Sequence, residues 1–136
     1  LVPVLILVGV AIPSISLLAA QFKPAPANAV TLKAIGNQWF WSYEYPDLGI
    51  SFDAFKLEKD QLEAAGYRKE DYLLATDNAV VIPVGKTIVV QVTGADVIHA
   101  WAMPAFGVMQ SGVPGRLGTK ATISRASASI VFASTP

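Results

Sequence analysis

The sequence predicts an all-β sandwich or barrel preceded by one transmembrane α-helix, and three observations carry that prediction. The first 22 residues hold no charge and are mostly apolar. Beyond Pro26, short runs of period-two or β-branched character recur between turns rich in Pro and Gly. Strands do not alternate with long helical patterns, which argues against an α/β sheet.

The N-terminal run LVPVLILVGVAIPSISLLAAQF (Leu1–Phe22) would rise about 33 Å as a helix, enough to cross a hydrocarbon core of ~30 Å. Gly9 and Pro13 are tolerated in membrane helices, and Lys23, Pro24 and Pro26 close the span at an interface. The rival is a secretory signal cut near Ala25–Ala29. That run exceeds the usual apolar core of ~7–15 residues, and no basic segment precedes it. The anchor is favoured, over residues 1–23, and a chain opening inside a helix is expected to have residues upstream.

Residues 24–117 form the predicted β domain. Val30–Ile35 alternates. Gln38–Tyr45 puts Trp39, Trp41, Tyr43 and Tyr45 on one face and Phe40, Ser42 and Glu44 on the other. Tyr45–Gly49 has turn chemistry. Lys56–Leu74 is charged and contains Gly66, so one or two short helical turns in a surface excursion are expected. Ala79–Pro83 and Lys86–Thr93 read as strands joined at a hairpin or tight corner around Val84-Gly85. Val97–Met103 is a further strand, followed by a loop and a type II turn at Pro114-Gly115. An antiparallel arrangement is expected throughout. Residues 118–136 change character: eleven of these 19 are Ala, Ser or Thr and none is acidic, a low-complexity tail with weak strand tendency at Ile130–Phe132.

Composition narrows function. The chain has no cysteine and one histidine, His99. Disulfide frameworks, thiolate zinc sites, iron–sulfur clusters, thiol nucleophiles and multi-imidazole metal sites are therefore excluded within these residues. There is no Gly-rich phosphate loop and no hydrolase elbow. Net charge is zero, which argues against nucleic acid as a partner. Yet all ten acids lie between Glu44 and Asp96 with only five bases, a net of −5 flanked by purely basic segments. Such a middle is either plain solvated surface or a face that steers a basic partner. By itself, His99 on an apolar strand with Val97 and Trp101 reads as a packed core histidine more readily than as a ligand. The aromatic run from Trp39 to Tyr45 likewise reads first as core, then as a membrane-interface belt or a partner platform.

Four ordered segments are more specific: Ala34-Ile35-Gly36-Asn37-Gln38-Trp39-Phe40-Trp41-Ser42-Tyr43-Glu44-Tyr45, Leu73-Leu74-Ala75-Thr76-Asp77-Asn78, Asp96-Val97-Ile98-His99-Ala100-Trp101 and Val113-Pro114-Gly115-Arg116-Leu117. Together, from Leu1 to about Leu117, they resemble subunit II of the haem–copper cytochrome c oxidases of alphaproteobacterial and mitochondrial type. The resemblance implies a cupredoxin-like Greek-key sandwich on the periplasmic side of a bacterial inner membrane, anchored by the second of two helices. It implies electron transfer from cytochrome c through a dinuclear copper centre to oxidase subunit I. By the same resemblance, Trp39 is the exposed tryptophan where electrons enter. His99 is one copper ligand, and Glu44, Asp53, Asp77 and Asp96 lie near the docking surface for lysine-rich cytochrome c.

Departures matter as much. In the family a loop with two cysteines, a second histidine and a methionine follows the P-G-R-L segment, and none of it is in this sequence; Met103 and Met109 both precede that place. Asn37 and Phe40 replace the usual His and Tyr beside Trp39, and Met109 and Ser111 replace the usual basic and acidic residues. The switch at Gly118 reads as a frameshift or truncation leaving an incomplete sandwich. The expectation is a subunit II domain unable to assemble its copper centre. The alternatives are a copper-free structural module like quinol-oxidase subunit II and a secreted β-sandwich binding protein. Retention of His99 within D-V-I-H-A-W favours the first.

Overall fold

A computed structural model describes residues 1–124; the tail residues beyond, including the expected strand at Ile130–Phe132, lie outside the described residues. Helix α1 (Val2–Gln21) carries no charged residue, its Val2–Ala20 stretch has mean hydropathy 2.4, and none of that stretch is buried against the rest of the chain. Length and composition suit a membrane crossing. Pro13 sits inside it, and the Ser14 and Ser16 hydroxyls donate to the carbonyls of Val10 and Ile12 at 2.7 and 3.3 Å, so neither hydroxyl faces the apolar surroundings unpaired.

The domain is built on a five-stranded sheet of β1 (Val30–Asn37), β2 (Phe40–Tyr45), β3 (Ile50–Ala54), β4 (Thr87–Gly94) and β7 (Gly118–Ser124), in the order β3-β2-β1-β4-β7. A second, two-stranded layer pairs β5 (His99–Met103) with β6 (Val108–Gly112). Strand β4 returns beside β1 after three consecutive strands, the order of a Greek key. It runs parallel to β1, from Val30↔Ile88 to Gly36↔Gly94, so the sheet is mixed where an antiparallel one was expected. The cause is the long connection over residues 55–86, which carries the chain back to the starting end of β1 before β4 begins.

Alternation governs the packing. Leu32 and Ala34 of β1, Trp41, Tyr43 and Tyr45 of β2, and Ile88, Val90 and Val92 of β4 point inward and meet Trp101 and Met103 of β5. The Trp101 indole N–H donates to the Tyr43 hydroxyl at 3.3 Å between the layers. Desolvation pushes the Tyr43 hydroxyl up to about 12 from its usual 10.0, against the lowering effect of that hydrogen bond.

Several elements differ from the sequence expectation. Ala79–Pro83 does not join a sheet: Val80 and Ile82 are buried, while the Tyr45 hydroxyl donates to the Val81 carbonyl at 2.7 Å and accepts from the Val81 N–H at 3.2 Å. One side chain thus satisfies the backbone groups that a neighbouring strand would have bonded. No strand is expected at β3, which follows the turn Tyr45–Gly49, and β6 falls within the expected loop. Strand β3 exposes three of its five side chains, and β6 is only five residues long and ends on Gly112, so neither carries a strong local strand signal. The excursion Lys56–Leu74 agrees with expectation, holding one short 3-10 turn, Lys69–Asp71, over a small separate core of Leu57, Leu62 and Ala75. Past Leu117 the chain continues as β7 alongside β4, with a bulge between Val89 and Gln91. The turn at Pro114-Gly115 is as expected: Gly115 has φ +74°, and the Arg116 N–H donates to the Val113 carbonyl at 3.1 Å.

Candidate functional site

The antiparallel register of β1 and β2 ends at Asn37↔Phe40, which leaves Gln38 and Trp39 as a two-residue turn. Trp39 therefore leaves the face that alternation shares among Trp39, Trp41, Tyr43 and Tyr45 and stands 75% exposed at the hairpin tip, while the other three are buried. Beside it, the Phe40 ring stacks on Phe55 with centroids 4.5 Å apart.

Asp96 ties this tip to the β4–β5 connection. Its Oδ2 accepts from the Gln38 N–H at 2.8 Å; its Oδ1 accepts from the Val97 N–H at 2.7 Å and from His99 Nε2 at 2.8 Å. The bond from His99, then those from Val97 and Gln38, hold the carboxyl down to about 2 from its usual 3.8. Because a carboxylate only accepts, His99 Nε2 is the donor in this contact. The imidazole packs on two more groups. The Trp41 ring meets it edge-on at 5.8 Å, and Gly36 lies so close beneath that a Cβ there would fall 2.5 Å from His99 Cγ. Gly36 is a site residue that the sequence reading missed. A glycine at the end of a strand pattern is the signal for such a close approach.

The remaining acids divide. Asp53 Oδ1 accepts from the Ser42 hydroxyl at 2.6 Å, and the Asn37 amide donates to Ser42 Oγ at 3.1 Å. Asp77 Oδ1 accepts from the N–H groups of Phe55 and Asn78, both at 2.7 Å, and the Asn78 amide donates to the Asp53 carbonyl at 2.8 Å. Asp53, Asp77 and Asp96 are thereby linked to the end of the sheet that carries Trp39. Glu44 is not. It lies five residues further along β2, about 16 Å from Trp39 at ~3.3 Å per residue, and pairs with Lys33 Nζ at 2.9 Å.

The donor set decides the metal chemistry these residues can support. A dinuclear copper pair needs soft bridging thiolates and several ligands converging on one place. The chain has no thiol and one imidazole, and among the described residues no three His, Asp or Glu side chains come together. Met103 is buried in the core four residues along β5, about 13 Å from His99 at ~3.3 Å per residue, and Met109 is exposed on β6. These residues do not fit a dinuclear copper centre.

Comparison with known proteins places this architecture. A family model described as cytochrome C oxidase subunit II, periplasmic domain, matches residues 30–134, and so continues beyond the point where the four sequence segments end. Cytochrome c oxidase subunit 2 of Cereibacter sphaeroides is 48% identical over 131 residues, covering 86% of this chain and 43% of that protein; the Drosophila melanogaster protein is 45% identical over 118 residues, covering 86% and 50%. The chain thus spans half or less of the length of these relatives. The crystal structure of the periplasmic domain of subunit II of cytochrome oxidase from Bradyrhizobium japonicum superposes with a TM-score of 0.60 at 48% identity, covering 71% of this chain and 64% of that one. A second structure, a mixed disulfide intermediate between a thioredoxin-like protein and subunit II of cytochrome c oxidase, gives 0.63 at 42% identity, covering 79% and 70%. With its apolar N-terminal helix and cupredoxin-like β domain, the chain belongs to the cytochrome c oxidase subunit II family.

Proposed function

We propose that this chain is the membrane-anchored docking domain of an oxidase subunit II, held by α1 at a bacterial inner membrane with the β domain on the periplasmic side. It receives a lysine-rich cytochrome c at the end that carries Trp39 and is part of a complex with oxidase subunit I. The observation that carries this reading is Trp39 itself: a large aromatic ring 75% exposed on a two-residue turn, with Asp53, Asp77 and Asp96 bonded into the same end of the sheet. Exposed aromatic anchors ringed by charge are what short-lived protein encounters use.

The physical division of labour follows from the geometry. The acidic stretch Glu44–Asp96 supplies the long-range field that orients a basic partner, while Trp39 supplies the contact surface. In the family a dinuclear copper centre passes the electrons onward. The residues of this chain do not build it, so the reading ends at docking.

The test is calorimetric titration of a lysine-rich cytochrome c into the full chain held in lipid nanodiscs, at low and near-physiological salt. Docking predicts an affinity that falls by about tenfold or more between the two. It also predicts weaker binding for Trp39→Ala and none for cytochrome c with acetylated lysines. Binding indifferent to salt and to Trp39 would refute it. The two alternatives, a quinol-oxidase-like structural module and a secreted binding protein, provide no reason for a lysine-dependent partner.

A further inference from the structure

We propose that the Asp96–His99 pair of this chain is a metal-free staple that positions the Trp39 hairpin, in place of one half of a dinuclear copper site. This goes beyond docking, because it concerns what holds the docking end in shape.

The argument starts from which atoms are engaged. Among the described residues Asp96 is the one side chain that bonds both sides of the junction: Gln38 in the β1–β2 turn, and Val97 and His99 after β4. A backbone bond reinforces it, the Ala95 N–H donating to the Gly36 carbonyl at 2.9 Å. The imidazole is the third member of the joint. It is clamped between the Gly36 backbone and the Trp41 ring edge, and its Nε2 is committed to the carboxylate. A ligating histidine also donates its second nitrogen to a carboxylate, and so the same geometry serves a metal site where other ligands converge. Among the described residues they do not converge. The pair keeps a different use: it fixes the amide next to Trp39, and therefore the direction in which the indole is presented.

The reach of the staple also accounts for the glycine. Any side chain at position 36 would meet His99 Cγ, Cδ2 and Cβ within 2.9 Å, pushing the ring off Asp96 and releasing the hairpin. Gly36 and Asp96 are thus positioning residues for Trp39, acting through hydrogen bonds and packing.

Amide hydrogen exchange followed by NMR on the full chain in nanodiscs tests this, with copper titration watched by electron paramagnetic resonance alongside. In Asp96→Ala the Gln38 and Val97 amides are expected to exchange about tenfold or more faster, while the Leu32 and Val90 amides at the sheet centre stay protected. Asp96→Asn, which retains an acceptor oxygen, is expected to fall between the two and serves should Asp96→Ala not fold. Adding two equivalents of copper to the wild type is expected to leave the Gln38 exchange rate unchanged and to give no coupled two-copper signal. The proposal is overturned by a Gln38 amide whose exchange is the same in both variants as in the wild type. A stoichiometric two-copper signal overturns it equally. Failure of cytochrome c to bind would sink the docking reading and leave these exchange rates as they are.

Discussion

The Asp96 carboxylate and the His99 imidazole are 2.8 Å apart, and the same carboxylate holds the backbone N–H of Gln38 at 2.8 Å, one residue before the exposed Trp39. Two segments nearly sixty residues apart in sequence are thereby fixed at one end of the sheet. The aromatic tip of the hairpin owes its orientation to a bond made from outside the hairpin.

Gly36→Ala is expected to be disproportionately costly for a one-carbon change. The added carbon would sit 2.5 Å from His99 Cγ, so either the ring or the strand must shift. Overpacking of this kind costs about 1–3 kcal/mol. Urea unfolding of the mutant and wild type should show a midpoint shift of that size, and an unchanged midpoint would mean that the ring moves freely.

Trp39 and Trp101 should respond oppositely to truncation. Trp101 is 3% exposed between the two layers, and its replacement by alanine should cost about 3–5 kcal/mol. Trp39 is 75% exposed, and Trp39→Ala should leave the unfolding midpoint within about 0.5 kcal/mol while weakening cytochrome c binding. Thermal melts paired with binding isotherms separate the two roles.

Stability should fall at alkaline pH because of Tyr43. Its hydroxyl is pushed up from 10.0 to about 12 by burial, so the folded state keeps its proton where the unfolded chain has lost it. A raised value means that the contribution is complete below pH 10.0 and is lost as pH rises toward about 12. The loss across that window is about 2–3 kcal/mol. Chemical denaturation between these pH values should slope downward in the wild type and more shallowly in Tyr43→Phe; equal slopes would contradict the assignment.

Among the acids of the middle segment, Glu44 should matter least to a basic partner. Lys33 lies 2.9 Å from it and cancels most of its distant field, and the pair is partly open to water. Glu44→Gln should change stability by less than about 1 kcal/mol. Its effect on the association rate of cytochrome c, measured by stopped flow at low salt, should be smaller than that of Asp53→Asn. A larger effect would place the docking surface at the other end of β2.

What could be read from the sequence followed from periodicity. The apolar helix, β1, β2, β4 and β5 announce themselves through uncharged length or inward alternation, and Pro114-Gly115 through turn chemistry. What escaped lacks a local signal. Strand β3 exposes three of its five side chains, β6 is five residues ending on Gly112, and both exist through their neighbours' hydrogen bonds. Val81 looks like a strand residue, yet the Tyr45 hydroxyl replaces its partner strand, a contact spanning 36 residues. Trp39 and His99 were singled out by motif, but their connection through Asp96, and the need for glycine at position 36, are properties of the closed sheet.

The most direct test of where this domain meets its partner is NMR chemical-shift mapping of the full chain in nanodiscs during titration with lysine-rich cytochrome c. Docking at the Trp39 end predicts perturbations at the Trp39 indole N–H and the Gln38, Phe55 and Ile98 amides at low salt, collapsing as salt is raised. Perturbations concentrated instead at Leu48, Ile50 and Val81, at the opposite end of the sheet, or none at all, would contradict it.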